Sequence, residues 1–182
     1  MMQSQPSPLK AWKAYSAMKV GILGGGQLGK MLAQAAQALG VETLVLDPTP
    51  DAVAGQVTEH LAKAWDDAGV LDALALCDVV TYEFENVPRE TVEALAQRVP
   101  VHPAPEALVL SGDRLLEKRF FQSLGIEPAP FAPVSTRAEL DAAIEEIGLP
   151  AVLKTRRFGY DGKGQAVLRD AADVGIAWAE LG

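Results

Sequence analysis

Cysteine is nearly absent. Cys77 is the only one in 182 residues, which excludes an internal disulfide, and with two histidines no zinc pattern can be built. Cys77 opens an apolar run and reads as a small core residue. His60 and His102 are isolated, and each reads as a locally satisfied side chain. Positive charge is also scarce: 16 Lys and Arg stand against 24 Asp and Glu, a net charge of −8. No basic field exists to hold a nucleic acid, although a local phosphate site built from backbone dipoles remains allowed. No stretch approaches the length of a membrane span. Residues 1–17 lack the apolar segment of a secretory signal. The expectation is a cytoplasmic protein without nucleic-acid or membrane partners. Met18-Lys19 reads as a natural start, which makes residues 1–17 either a disordered tail or the result of a misplaced initiation site.

What is present is an ordinary globular composition, 49% hydrophobic and 22% charged. Strand and helix signals alternate through the first hundred residues. Residues 18–24 read as a buried strand. Residues 27–39 read as a helix, with Leu28, Met31, Leu32, Ala35 and Leu39 at helical spacing and Gly40 as its stop. Strands follow at 41–46, near 61–64, at 78–84 and at 99–102. Helices lie between them at 67–76 and from Pro88 to about Arg98. Repeated strand–helix–strand units imply an α/β fold with a parallel sheet covered on both faces. After Pro103 and Pro105 the pattern changes. Residues 106–124 read as helical, broken near Ser111-Gly112 with Asp113 as an N-cap, and 125–133 form a Pro-rich connector. Ser135/Thr136 caps a helix that ends at Gly148. Strands at 151–155 and 165–169 flank a loop, and Asp170 starts a last helix. This final unit of about fifty residues is small for a core of its own, with exposed sheet edges. It is therefore expected to be part of a larger domain.

Two constellations carry chemistry. In the first, an apolar strand runs into Gly24-x-Gly26-x-x-Gly29 and then into a helix. Such a turn clears side chains from a helix N-terminus, where bare amides and the positive dipole end suit a phosphate. With Asp47 closing the second strand, the pattern also satisfies a dinucleotide fingerprint. A P-loop reading fails at Met31, where a hydroxyl for magnesium belongs. Gln27 places a polar side chain at the mouth of the turn. Glu83 and Glu85 lie at the C-terminal end of another strand, the edge where parallel sheets bind ligands. In the second constellation, Lys154 ends a strand, and the loop Arg156 to Gln165 holds three glycines and three basic residues. A glycine loop can lay amides over a polyphosphate while Lys154 supplies a point charge.

Together these describe a phosphate-binding sheet domain joined to a nucleotide lid, an arrangement that resembles the ATP-grasp superfamily. Five ordered strings narrow the resemblance: Gly-Gly-Gly-Gln-Leu-Gly-Lys-Met at 24–31, Leu-Asp-Pro at 46–48, Thr-Tyr-Glu-Phe-Glu-Asn at 81–86, Asp-Arg-Leu at 113–115 and Gly-Tyr-Asp-Gly-Lys-Gly-Gln at 159–165. They are similar to those of the 5-(carboxyamino)imidazole ribonucleotide synthases, from about residue 18 to the C-terminus.

The resemblance implies a Rossmann-like pre-ATP-grasp domain followed by a truncated ATP-grasp lid domain. Its parts would be residues 18–107, a helical linker and start of the ATP-grasp domain at 108–133, and a partial lid subdomain at 134–182. It implies an ATP- and magnesium-dependent carbon–nitrogen ligase that joins bicarbonate to aminoimidazole ribonucleotide. Carried over by position, Gly25, Gly26, Gln27 and Leu28 would hold the ribonucleotide phosphate, with Glu83 and Glu85 near its ribose or base. Arg114, Lys154, Gly159, Tyr160, Asp161, Gly162, Lys163, Gly164 and Gln165 would bind ATP. Tyr160 and Asp161 would lie nearest the chemistry, with no acid–base role assigned to Asp161. No metal ligand is assigned, because family magnesium ligands lie beyond residue 182, and the isolated polypeptide is accordingly expected not to turn over. A homodimer is implied as well. One departure stands out: Phe158 occupies a position where relatives often have glycine. If that position needs a positive φ, phenylalanine is strained there by about 1–2 kcal/mol. Competing readings are a NAD(P)-binding Rossmann module, a formate-using glycinamide ribonucleotide transformylase and a non-catalytic interaction domain. The transformylase would carry Glu in place of Gln27 and a Ser-rich loop in place of Gly159-Tyr160-Asp161.

Overall fold

The computed structural model describes residues 18–159 and 162–182. The expected tail at 1–17 and the pair Tyr160-Asp161 lie outside the described residues. The chain divides into two compact units, Met1–Leu108 and Val109–Gly182.

In the first unit, β1 (Lys19–Leu23), β2 (Glu42–Leu46), β3 (Glu59–Leu61) and β4 (Val79–Tyr82) form one sheet in the order β3-β2-β1-β4. Every pairing is parallel. The expected strand at 99–102 contributes a single parallel bridge, Val80 to Val101. The small strand lies at Glu59–Leu61, earlier than expected. Chain order runs outward from β1 through β2 to β3, then returns to β4 on the other side of β1. That reversal makes the C-terminal ends of β1 and β4 a topological switch point, the usual ligand crevice of an open α/β sheet.

Side-chain alternation along the strands builds two cores, one on each face. Leu23, Leu44, Leu46 and Val80 pack with Val70 and Leu74 of α2 (Ala68–Leu74) and with Val92 and Leu95 of α3 (Arg89–Ala96). Ile22 and Val45 face the opposite way, toward Ala33 of α1 (Gln27–Ala38) and Ala54 of a 3-10 turn at Val53–Gln56. Cys77 is buried in the first of these cores, as its sequence setting suggested.

The periodic apolar residues of the helix α1 do not face the sheet: Leu28, Met31, Leu32 and Leu39 are 56%, 62%, 44% and 51% exposed. The buried positions are Gly29 and Ala33. Small residues let the helix axis approach the sheet closely, which leaves the large apolar side chains outside.

A helix α4 (Pro105–Ser111) spans the division between the units. In the second unit, α5 (Arg114–Ser123) is N-capped by Asp113, and α6 (Arg137–Ile147) opens on a capping box formed by Thr136 and Glu139. Gly148 ends α6 with φ +84°. The strands β5 (Ala151–Lys154) and β6 (Gln165–Leu168) pair antiparallel, and α7 (Ala171–Leu181) is capped by Asp170. One face of this ribbon builds a core from Leu153, Ala166 and Leu168 with Leu140 of α6 and Val174 and Ala177 of α7. The other face carries Val152 and Lys154, paired with Val167 and Gln165, and all four are exposed. Among the described residues no helix is long and apolar enough to cross a membrane.

Candidate functional site

In the first unit, the glycine turn sits at the end of β1. Gly24 adopts φ +107°, which favours glycine, and a Cβ there would lie 2.5 Å from Glu83 Cγ. The Gly25 amide donates to Asp47 Oδ2 at 2.7 Å, while Asp47 Oδ1 accepts from the Thr49 amide at 2.8 Å. His60 Nε2 donates to the Asp47 carbonyl oxygen at 2.9 Å. Asp47 therefore braces the turn from β2, and His60 has the local structural role its isolation suggested. The dinucleotide reading loses support here, because both carboxylate oxygens of its ribose acid already accept backbone amides.

Gly26 is the N-cap of α1, with an extended backbone and no side chain capping the helix. Among the described residues, nothing therefore covers the first-turn amides of Gln27 and Leu28 from a side chain at the cap. Both residues are exposed, so the mouth of the turn is open. Of the four residues expected to hold a phosphate, Gly25 turns its amide to Asp47. The Gly26 amide is turned to the Glu83 carboxyl, so Gln27 and Leu28 remain as donors toward the switch point.

Glu83 stands against this turn. Burial pushes its carboxyl above the ordinary Glu range; a hydrogen bond with the Gly26 amide works the other way, and the charges of Asp47 and Glu85 add to the rise. Glu85 is half-buried and accepts from Asn86 Nδ2 at 3.3 Å. An acid with a raised folded-state value loses its proton more readily when unfolded. Glu83 thus subtracts nothing from stability below the ordinary Glu value of about 4.3. It subtracts progressively more as pH rises through its folded value. Glu83→Gln is expected to raise the melting temperature at neutral pH, with the difference from wild type closing as the pH falls below about 4. Thermal melts of both proteins across that range check the sign; a gap that widens in acid would contradict it.

In the second unit, Lys154 ends β5 on the exposed face of the ribbon, directly across from Gln165. The neighbouring Val152–Val167 pair supplies apolar surface beside this cation and amide. The glycine loop is held at both feet. The Thr155 amide donates to the Gly164 carbonyl at 2.8 Å, and Arg114 Nη2 donates to the Gly159 carbonyl at 2.8 Å. Gly162 and Gly164 adopt φ +81° and +65°. Lys163 is exposed. Phe158 is the one described non-glycine residue with positive φ, at +61°, and its side chain is 73% exposed. The strain anticipated from the sequence is therefore present, and little burial compensates it. Flat apolar surface, a cation and a glycine loop are the parts a nucleoside polyphosphate needs. Among the described residues no cluster of three or more His, Cys, Asp or Glu is arranged to hold a metal ion.

Three functional neighbours escaped sequence reasoning: Asp47 as the brace of the turn, Thr155 as the anchor of Gly164, and the ion pairing of Asp113. Asp113 was legible as a cap. Nothing local signals that it also reaches residues more than forty positions away.

The chain is similar to several known proteins. It is 55% identical over 166 residues to the N5-carboxyaminoimidazole ribonucleotide synthase of Pseudomonas aeruginosa, covering 91% of this chain and 46% of that protein. Its fold matches that of the Staphylococcus aureus N5-carboxyaminoimidazole synthetase complexed with ADP, with a TM-score of 0.85 and 39% identity, covering 90% of this chain and 44% of the other. An Aspergillus clavatus N5-carboxyaminoimidazole synthase in complex with ADP and 5-aminoimidazole ribonucleotide matches with a TM-score of 0.76 and 30% identity, covering 92% and 45%. The chain thus spans just under half the length of these relatives. The ATP-grasp domain family matches residues 119–182. The family described as the ribonucleotide synthetase pre-ATP-grasp domain matches residues 17–111, and on this match, over the parallel sheet and its glycine turn, the chain belongs to that family.

Proposed function

We propose that this chain supplies the ribonucleotide-phosphate turn and part of the nucleotide lid of an ATP-dependent ligase. The reaction is the carboxylation of 5-aminoimidazole ribonucleotide by bicarbonate, giving 5-(carboxyamino)imidazole ribonucleotide in purine synthesis. The observation that carries this reading is the open, uncapped N-terminus of α1 at the sheet's switch point, with Glu83 beside it. It is supported by the Aspergillus clavatus relative, whose structure holds ADP and the aminoimidazole ribonucleotide.

In this reading the amides of Gln27 and Leu28 hold the ribonucleotide phosphate, Gly26 keeps the turn clear of side chains, and Glu83 and Glu85 accept from the ribonucleotide's ribose or base. Gly25 shapes the turn. Lys154 and Arg114 neutralise nucleotide phosphates, and the loop 159–165 covers them and excludes water. ATP, when bound, would phosphorylate bicarbonate with ADP as the leaving group; the exocyclic amine would then displace phosphate from the carboxyl carbon and give up a proton, leaving the carbamate. Orienting the reactants and keeping the mixed anhydride dry are what such residues contribute. Tyr160 and Asp161 are proposed to lie nearest that transfer. Magnesium belongs to this chemistry, but the described residues offer it no site, and no step is assigned to it. The domain division proposed is 18–107, 108–133 and 134–182. The exposed apolar row on α1 supports a homodimer in which a second copy covers it.

Titration of the chain with ATP and with NADH, followed by tryptophan fluorescence, tests the reading. Trp178 lies in the core behind the nucleotide face, and Trp65 packs 6.2 Å from the Phe84 ring beside Glu83 and Glu85. A saturable response to ATP and none to NADH is expected. The reverse outcome would transfer the chain to the dinucleotide-binding alternative.

A further inference from the structure

The Asp113 carboxylate is 2% exposed and carries an unusual load for a helix cap. Its Oδ1 accepts from the Leu115 and Leu116 amides at 3.0 and 3.4 Å, which starts α5. The same carboxylate takes a two-point grip from Arg156, Nε to Oδ1 at 3.1 Å and Nη2 to Oδ2 at 2.6 Å. Arg157 Nε stands 3.5 Å from Oδ2. The next residue continues the contact: the Arg114 amide donates to the Arg156 carbonyl at 3.0 Å, and its guanidinium reaches the Gly159 carbonyl. A Cβ on Gly159 would lie 2.9 Å from Arg114 Nη2, so the loop backbone is drawn as close as a glycine permits. Burial raises the Asp113 carboxyl, but the Arg156 guanidinium and the two amides outweigh it, leaving the group below the ordinary Asp range and charged.

These contacts join sequence segments more than forty residues apart at the point where β5 passes into the glycine loop. A helix cap needs only one oxygen and no charge. A fork of two parallel bonds to a guanidinium fixes direction as well as distance. The second oxygen therefore has a different purpose from the first.

We propose that Asp113 is a positioning residue for nucleotide phosphates. Through Arg156 it ties the first foot of the glycine loop to the start of α5 and so sets Arg114 and the loop amides for ATP. The proposal rests on the ATP reading given above. Arg156 is the coupling partner, and it acts through its fork rather than by touching phosphate itself.

Asparagine separates the two tasks. Asp113→Asn keeps a good N-cap but loses the charged fork, whereas Asp113→Ala loses both. The chain and its Asp113→Asn, Asp113→Ala, Arg156→Lys and Lys154→Met variants are compared by three measurements. These are equilibrium dialysis with labelled ATP, hydrogen exchange of the amides at 156–159 without nucleotide, and circular dichroism melts. For Asp113→Asn, wild-type helix content is expected with a melt below wild type but above that of Asp113→Ala, with loop exchange faster by about tenfold and ATP affinity weaker by about tenfold. Arg156→Lys, which keeps charge but not the fork, should behave the same way. Asp113→Asn with wild-type exchange and wild-type ATP affinity overturns the proposal and leaves Asp113 a cap alone. Faster exchange in Asp113→Asn with unchanged ATP affinity overturns it too, provided Lys154→Met weakens ATP. Wild-type chain that takes up no ATP overturns the ATP reading itself, and the exchange data then report only on the tether.

Discussion

Gly29→Ala is expected to cost the first unit about 3 kcal/mol or more and to lower its melting temperature by more than roughly 10 °C. A Cβ at this position would run into the carbonyl oxygen of Gly24, a backbone atom that cannot swing aside. Relief requires moving α1 away from the sheet. That breaks the packing of Ala33 with Ile22 and Val45 and moves the amides of Gln27 and Leu28. Helix propensity alone predicts the opposite result, since alanine is favoured over glycine in a helix by about 1 kcal/mol. The experiment thus sets close packing against propensity. Chemical or thermal unfolding of Gly29→Ala beside Lys30→Ala provides the measurement. A stability within 1 kcal/mol of wild type would show that the helix–sheet approach is looser than described.

Lys154→Met is expected to weaken ATP binding by about a hundredfold while leaving the melt unchanged. An ammonium on a strand facing a phosphate makes charge-assisted contacts worth roughly 2–3 kcal/mol, which is about two powers of ten in affinity. The side chain is exposed on the face of β5 opposite the core, and methionine keeps most of its apolar length. The fold therefore does not depend on the charge. Calorimetric titration with ATP, paired with a melt of each protein, separates the two effects. Equal affinities in wild type and variant would remove Lys154 from the nucleotide site and with it the second half of the functional reading.

Much of the fold was written locally. Asp113, Thr136 and Asp170 were legible as caps, because a short polar side chain before a helical run satisfies that helix's own amides within three residues. The stops at Gly40 and Gly148 followed from positive φ, which both adopt. The strain at Phe158 was foreseeable only through the resemblance, because relatives often carry glycine there and a glycine position implies a backbone demand. The α1 surface was not legible in the same way. Its apolar residues announce a helix, but periodicity says nothing about whether the sheet takes the large side chains or the small ones. Here it took Gly29 and Ala33. In the candidate site, the donors Gln27 and Leu28 could be read from the turn. The brace from Asp47 to Gly25 and the closeness of Glu83 to Gly26 could not, because each depends on which strands lie on either side of β1.

The amino-acid order by itself determined the alternating α/β plan, the uncapped glycine turn and the glycine loop after Lys154, since each arises from dihedral preferences and hydrogen bonds spanning a few residues. Only the tertiary structure decided the strand order that creates a switch point, the outward-facing apolar row of α1 and the grip of Asp113 on Arg156. Those outcomes are set by competition among contacts distant along the chain. Their energies depend on how closely whole elements approach, and no local pattern encodes that distance.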